Sequence, residues 1–132
     1  TVSAQVKITP RTYNVNRNGR YVNGIIVLPA GYRAADVAEE SIWLHLLIED
    51  NETAEGIQAV RAIPVPFVDN MLNVKFDNRE MKELIETYYD EFPATVRVSV
   101  SGSIDNDNGT SFTGHDAIYV VAPGKKKKGQ NK

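Results

Sequence analysis

The feature that most constrains this chain is a series of short runs in which apolar and polar residues alternate. Leu72, Val74 and Phe76 alternate with polar residues, and the same period of two recurs over residues 95–102 and 112–121. Successive side chains of a strand point to opposite faces, so this period is typical of strands with one buried face. Turn residues separate the runs. The pattern predicts two sheets that pack face to face.

The strands can be placed along most of the chain. We expect an edge strand that bends at Pro10, a strand over residues 20–28, a strongly apolar strand over residues 41–48, and a final hairpin that joins residues 95–102 to 112–121. Residues 50–56 are polar and predict a loop. Residues 57–63 predict one further strand.

One segment follows helical spacing instead. Its apolar residues recur three and four positions apart, and Asp77 with Glu80 is typical of a capping box. We therefore expect one short crossover helix, from about Arg79 to Tyr89. With seven or eight strands, the fold class is mainly β, an immunoglobulin-like β-sandwich. The apolar residues of the helix are Met81, Leu84, Ile85 and Tyr88.

Length, charge and composition limit the possible classes of protein. The chain has 132 residues, which suits one domain over residues 4–122, with an N-terminal strand over residues 1–9 and a lysine-rich tail over residues 123–132. The formal net charge of −2 gives no overall basic field, so we expect no nucleic-acid partner. No cysteine is present, and no apolar run reaches the roughly 18 residues that span a bilayer.

Several short motifs are distributed along the body from about Val6 to Val121. They are Ile8-Thr9-Pro10-Arg11-Thr12-Tyr13-Asn14, Gly19-Arg20-Tyr21-Val22, Leu28-Pro29-Ala30-Gly31-Tyr32, Asp36-Val37, Ser41-Ile42, Leu72-Asn73-Val74-Lys75-Phe76-Asp77, Val98-Ser99-Val100-Ser101-Gly102 and Phe112-Thr113-Gly114-His115-Asp116. Together they resemble a secreted prokaryotic immunoglobulin-like β-sandwich module found in surface and extracellular proteins. The resemblance implies an extracellular or cell-surface location and brings no catalytic residues. Copies of that module usually occur as repeats in longer chains, and a single copy suggests association with itself.

Self-association is the leading functional hypothesis. The first strand carries the apolar residues Val2, Ala4, Val6 and Ile8, which either pair within their own chain or insert into a neighbour by β-strand addition. Insertion of this kind is a heterologous contact, and one that does not close makes a fibre. We therefore expect a non-enzymatic structural protein, a pilin-like subunit of a surface filament whose partners are copies of itself. A third of the positive charge lies in the tail, which is a candidate electrostatic anchor.

The alternative is a carbohydrate-binding or adhesive module whose partner is a cell-surface glycan. Trp43 and Tyr32 are the candidate stacking residues, because aromatic faces pack against the apolar faces of sugars. Trp43 shares a strand face with Leu47, so the sequence favours a place for Trp43 in the core beneath the helix.

The sequence lacks the motifs of an enzyme or a cofactor site. The two histidines, His45 and His115, stand in separate predicted strands, and no phosphate-binding loop, dinucleotide motif or nucleophile elbow occurs. Most carboxylates near the predicted helix belong to a solvated face. We expect no catalytic activity and no cofactor.

Two loops carry candidate modification and metal sites. The triplets that begin at Asn51 and Asn108 fit the N-glycosylation pattern, which suits a surface glycoprotein. Asp105 and Asp107 offer oxygen ligands for calcium, but the sixth position counted from Asp105 is Thr110, where an EF-hand loop needs glycine. A metal-free hairpin turn is therefore favoured here.

Overall fold

The computed structural model of the protein describes residues 1–105 and 109–123. Over these residues the chain forms ten strands, one α-helix and two 3₁₀ turns. The strands are β1 (Val2–Ser3), β2 (Gln5–Thr9), β3 (Thr12–Asn14), β4 (Tyr21–Val27), β5 (Trp43–Ile48), β6 (Asn51–Gln58), β7 (Arg61–Pro64), β8 (Met71–Asp77), β9 (Ala94–Ser103) and β10 (Ser111–Val121). The helix α1 is Asn78–Tyr88, and the 3₁₀ turns are Ala34–Asp36 and Glu39–Ser41.

The strands form two sheets that pack as a sandwich. One sheet has six strands in the order β1-β10-β9-β5-β6, with β3 also paired to β10, and the other has the order β2-β4-β8-β7. The inward side chains of both sheets form one buried cluster whose largest members include Tyr13, Phe76 and Phe112. The predicted fold class is confirmed, a mainly β sandwich with one helix.

The N-terminal segment belongs to both sheets. Strands β1 and β3 pair in parallel with β10, whereas β2 between them pairs with β4 in the other sheet. The chain therefore crosses from one sheet to the other near Ala4 and returns at Pro10, where the sequence predicts a bend. These crossings divide the predicted edge strand into three and raise the strand count above the expected seven or eight.

The region between β5 and β8 differs from the prediction. Residues 51–56, predicted as a loop, begin strand β6, which pairs with β5 across a two-residue turn at Glu49 and Asp50 with positive φ angles of 51° and 67°. Strand β6 is the edge of its sheet, so its polar side chains face water and the apolar period is weak. The predicted strand over residues 57–63 is two strands, because the chain changes sheets at Ala59 and Val60: Ala59 N–H donates to Ile42 O at 2.9 Å and Val60 N–H to Lys75 O at 2.9 Å.

The helix lies close to where the sequence predicts it. Asp77 is the N-cap, and its Oδ1 accepts a hydrogen bond from the backbone N–H of Glu80 at 3.0 Å. The apolar stripe buries Met81, Leu84 and Ile85, and α1 packs against β6 as well as β8. The helix thereby covers one open side of the sandwich as the chain crosses from β8 to β9. In the part of the chain described, no helix is long and apolar enough to cross a membrane.

Candidate functional site

The outer face of the six-stranded sheet presents the single tryptophan to solvent. Trp43 begins β5, and its side chain points away from the core while Leu44 and Leu46 point inward and are fully buried. Trp43 is 39% exposed, so the prediction that it lies in the core beneath the helix is wrong. Strong apolarity on both faces of β5 led to that prediction, but only one face of this sheet meets the other sheet.

Small and polar side chains surround Trp43. Its ring stacks on that of His45, with centroids 6.3 Å apart and planes inclined by 27°. Ser101 lies opposite Trp43 on β9, and Gln58 lies opposite it on β6. Ser99 lies beside His45. We call these five residues the Trp43 platform. Its serines are short and Trp43 keeps 39% of its surface exposed, so an extended ligand can reach the indole ring.

A glycine on the edge strand makes room for the His45 ring. Gly56 pairs with His45 across β5 and β6, and a Cβ built on Gly56 would lie 2.6 Å from both Nε2 and Cδ2 of the imidazole. His45 Nδ1 is buried, and no described residue forms a hydrogen bond with it. The imidazole therefore lies flat across the edge strand and supports the Trp43 ring from one side.

Charged side chains lie beside the platform. Glu52 Oε2 accepts a hydrogen bond from the hydroxyl of the buried Ser99 at 2.7 Å. Asp50, at the tip of the β5–β6 hairpin, forms an ion pair with Arg97 at 2.5 Å, and the hydrogen bond from Arg97 lowers the pKa of this carboxyl. The platform thus offers an aromatic face with hydroxyl, amide and carboxylate groups around it, which are the groups that sugars contact.

Tyr32, the other predicted stacking residue, lies at a different place in the fold. It follows β4, is partly buried against the core, and lines a shallow cavity of about 320 Å³ with Asp69 and Asn70. The structure does not bring Tyr32 into the Trp43 platform. The two residues are aromatic and close in sequence, but the pairing of β4 and β5 in different sheets separates their surroundings.

The predicted assembly residues of the first strand pair within their own chain. Val2 lies beside Phe112 of β10, and the Ala4 N–H donates to Thr113 O at 2.8 Å. Val6 and Ile8 point into the core and are 8% and 0% exposed. The sequence allows the first strand to pair within its own chain or with a neighbour, and the structure shows the pairing within its own chain. Insertion into a neighbour stays a prediction.

Asn51 is the predicted glycosylation residue that the structure describes. Its side chain is exposed at the start of β6, whereas the hydroxyl of Thr53 in the same triplet is turned inward, accepting from Leu46 N–H at 3.2 Å and donating to Glu55 O at 2.7 Å. The other candidate, Asn108, lies outside the described residues. Occupancy of either residue stays a prediction.

The remaining sequence candidates fall between β9 and β10 and at the C terminus. Asp105 is exposed, and its backbone N–H donates to Asp36 O at 2.6 Å. Asp107 and the tail from residue 124 onward lie outside the described residues. Within residues 1–105 and 109–123, no three histidine or carboxylate side chains converge as a metal site would require. The calcium hypothesis therefore stays a prediction, because its second carboxylate, Asp107, is not described.

An exposed apolar loop between β7 and β8 was not singled out from the sequence. Phe67 is 105% exposed, and its backbone has a φ of 66°. The exposed residues Pro66 and Val68 flank it, and Ile63 and Pro64 of β7 are also exposed. Three consecutive exposed apolar residues, Pro66 to Val68, are unusual in a soluble domain unless they serve a function. The six-residue apolar run 63–68 is the signal that could have identified this loop.

Comparisons with known proteins assign no family to the chain. No family model matches the sequence, and no curated protein matches it. Among solved structures, the chain is similar to ACE19, the collagen binding subdomain of the Enterococcus faecalis surface protein ACE. The two are 8% identical over 88% of this chain and 95% of that chain, with a TM-score of 0.19. Similarity at this level carries no argument about what this chain binds.

Proposed function

We propose that this chain is a non-enzymatic binding module of an extracellular or cell-surface protein and that it holds a glycan against the Trp43 platform. The observation that carries the proposal is the exposed position of Trp43 on the outer face of the six-stranded sheet, with its ring stacked on His45. A large aromatic side chain gains free energy by burial, so partial exposure on a rigid strand leaves apolar surface that a ligand can cover.

The shape of the platform favours an extended glycan over a small molecule. Trp43 lies on a sheet face between the short, half-buried Ser101 and the exposed Gln58, so a ligand can lie across the strands on either side of its ring. The apolar face of a sugar ring covers an aromatic ring, while its hydroxyls exchange hydrogen bonds with groups such as the Gln58 amide. Because β5 is held between β6 and β9, the platform needs little ordering on binding.

Titration of tryptophan fluorescence tests this proposal directly, because the chain has one tryptophan. Soluble oligosaccharides of neutral hexoses and of N-acetylhexosamines are the probes. We expect one class of oligosaccharide to quench the emission. The Trp43→Ala substitution, with binding measured by calorimetry, should weaken the affinity about tenfold or more, as loss of a central aromatic contact does. Tyr119→Ala is the matched control, because Tyr119 is an aromatic residue of the same sheet and is 46% exposed. No quenching by any probe, or equal binding by Trp43→Ala, would reject the glycan proposal.

Self-association is a second candidate, and the exposed loop at residues 63–68 is the observation that favours it. A fully exposed phenylalanine among exposed aliphatic residues is suited to contact a second copy of the chain. A contact between this loop and another part of a second copy would be heterologous, and such a contact extends to a filament when it does not close into a ring. Light scattering at two protein concentrations, with electron microscopy, measures assembly, and we expect Phe67→Asp to abolish it.

A disulfide distinguishes loop contact from strand exchange in any assembly that forms. Ser3 and Thr113 are partners in the register of β1 and β10, and the chain contains no other cysteine to interfere with Ser3→Cys paired with Thr113→Cys. Oxidation of the monomer before assembly fastens the first strand to its own chain. Filaments that still form from the oxidised monomer exclude insertion of Val2 to Ile8 into a neighbour, and filaments that form only from the reduced protein support that insertion.

A further inference from the structure

A basic cavity lies at the junction of α1 with the turn that precedes β4. Its volume is about 480 Å³, and its lining carries four cationic side chains and one carboxylate. The cations are Arg17, Arg20, Arg79 and Lys82, and the carboxylate is Asp77. We propose that this cavity binds a sulfate or phosphate ester group. The proposal is independent of the Trp43 platform, which lies on the outer face of the other sheet.

Within the lining, four cations face one carboxylate. The ion pairs Arg11–Asp116 and Arg97–Asp50 lie away from the cavity. Asp77, the one carboxylate of the lining, caps the helix by accepting the Glu80 N–H. The cavity therefore holds an excess of positive charge in a chain whose net charge is −2, and an anion relieves the mutual repulsion of the cations.

Arg17 is fixed in place before any ligand arrives. Its Nη1 donates to Tyr21 O at 2.9 Å and to Asn78 Oδ1 at 3.2 Å, and its guanidinium lies over the Tyr13 ring at 5.9 Å. Gly19 leaves the space for this conformation, because a Cβ at that residue would lie 2.6 Å from Arg17 Nη2. A guanidinium fixed in this way loses little side-chain entropy on binding.

Asn78 joins the turn to the helix, so the cations of both elements keep their spacing. The residue is 8% exposed, its N–H donates to Arg20 O at 3.0 Å, and its Nδ2 donates to Arg17 O at 3.3 Å. Its Oδ1 also accepts the Tyr13 hydroxyl at 2.8 Å. Arg79 and Lys82 then project from the first two turns of α1 into the same cavity.

The lining indicates the class of ligand. Arginine presents a planar fork of N–H donors that matches the oxygens of sulfate and phosphate, and several cations together favour these groups over a single carboxylate. The helix N-terminus is already capped by Asp77, so side chains rather than backbone amides supply the donors. The cavity is open to solvent, which suits an ester group carried on a polymer as well as the free ion.

Charge reversal inside and outside the cavity tests the proposal. The probes are dextran sulfate, unsulfated dextran, inorganic sulfate and inorganic phosphate, measured by calorimetry at low and at moderate ionic strength. We expect dextran sulfate to bind and unsulfated dextran not to bind. The variant Arg79→Glu with Lys82→Glu should lose about tenfold or more of the affinity, because two charge-assisted contacts are removed. Arg17→Lys keeps the charge and should also weaken binding through loss of the fork.

The matched control changes the net charge equally at another surface. Lys7→Glu with Lys75→Glu alters two cations of the four-stranded sheet, neither of which lines the cavity. Thermal unfolding confirms that each variant is folded. If inorganic sulfate or phosphate displaces dextran sulfate, the cavity recognises the ester group itself. If dextran sulfate binds and neither free ion displaces it, the ligand is a sulfated polysaccharide. Equal loss in both double variants, or no binding of any anionic probe, would overturn the proposal.

Discussion

The carboxylate of Asp116 accepts a hydrogen bond from the backbone N–H of Ile8 at 2.7 Å, which joins the two sheets. Asp116 belongs to β10 of the six-stranded sheet and Ile8 to the edge strand β2 of the other sheet. The Arg11 guanidinium pairs with the same carboxylate and donates to Ala117 O at 3.0 Å and Ile8 O at 3.2 Å. Three contacts with β10, from Ile8 N–H and Arg11 to Asp116 and from Arg11 to Ala117 O, thus hold the N-terminal segment at the point where it returns to its first sheet.

Substitution of Asp116 should weaken the fold and reduce its sensitivity to acid. Desolvation raises the pKa of this carboxyl. The hydrogen bonds from Arg11, Ile8 N–H and Ala117 N–H lower it by a larger amount, so the pKa in the folded state lies below its ordinary value. Its contribution to stability is therefore present above the unfolded-state pKa, near 4, and is lost as pH falls through the folded-state pKa. We expect Asp116→Asn to cost about 1–3 kcal/mol at neutral pH.

Urea unfolding at neutral and acidic pH measures this effect. Asp116→Asn should flatten the fall in the free energy of unfolding between neutral and acidic pH. Asp50→Asn is the control, because its ion pair with Arg97 is exposed and should contribute little. An unchanged acid response in Asp116→Asn would contradict the role given to this carboxylate.

Gly114 is expected to tolerate no side chain. A Cβ there would lie 2.6 Å from the carbonyl oxygen of Ala4 and 2.4 Å from Val6 Cγ2, at the crossing between β1 and β2. Gly114→Ala should reduce the free energy of unfolding by about 2 kcal/mol through overpacking. Hydrogen exchange should show reduced protection over residues 2–9, whereas the neighbouring Thr113→Ala should retain it. Equal protection in both variants would mean that the crossing adapts without cost.

Phe67 should be replaceable by glycine with a gain in stability. Val68 N–H donates to Val65 O at 3.2 Å, so residues 65–68 form a turn in which Pro66 is the second residue and Phe67, with a φ of 66°, is the third. Glycine is the residue favoured at that place in such a turn. Phe67→Gly should raise the free energy of unfolding by about 1 kcal/mol, since the strain exceeds the added entropy of the unfolded chain.

Phe67→Ala is the control for this comparison, because it removes the ring but keeps the strained backbone. We expect its stability to match that of the wild type in chemical unfolding. A Phe67→Gly variant no more stable than Phe67→Ala would show that the positive φ carries no measurable cost.

Tyr13 should make the fold sensitive to alkali. Burial raises the pKa of its hydroxyl to about 12, and the hydroxyl donates to Asn78 Oδ1 at 2.8 Å. Between the unfolded-state pKa of about 10 and the folded-state value, the unfolded chain releases this proton and the folded chain keeps it, so stability falls as pH rises. Tyr13→Phe should reduce this fall and cost about 1 kcal/mol at neutral pH. The same alkaline slope in both proteins would contradict this prediction.

Local chemistry made several elements predictable. The cap at Asp77 and the helical spacing of Met81, Leu84 and Ile85 identify α1 within a residue of its observed start, because capping and amphipathic spacing are properties of neighbouring residues. The alternating runs likewise identify β8, β9 and β10, each of which buries one face. These signals were sufficient for the fold class.

The candidate sites were less predictable because they depend on which surfaces meet. The sequence identifies Trp43 as a candidate for stacking but cannot tell which face of β5 meets the core, since both faces are apolar. The basic cavity joins residues 17–20 to residues 77–82, and no local pattern links these segments. Their proximity follows from the pairing of Tyr21 with Asp77 at the end of β4 and β8.

The sequence by itself determined the alternation of buried and exposed residues, the helix and its cap, and the absence of cysteine chemistry. Only the tertiary structure decided that the first strand serves both sheets, that β6 is an edge strand, and that Trp43 faces solvent. The physical reason is that alternation specifies which residues of a strand share a face. The partner strand, the sheet to which a strand belongs and the face that meets solvent depend on contacts between residues distant in sequence. The hydrogen bond between Asp116 and Ile8, which are 108 residues apart, is such a contact.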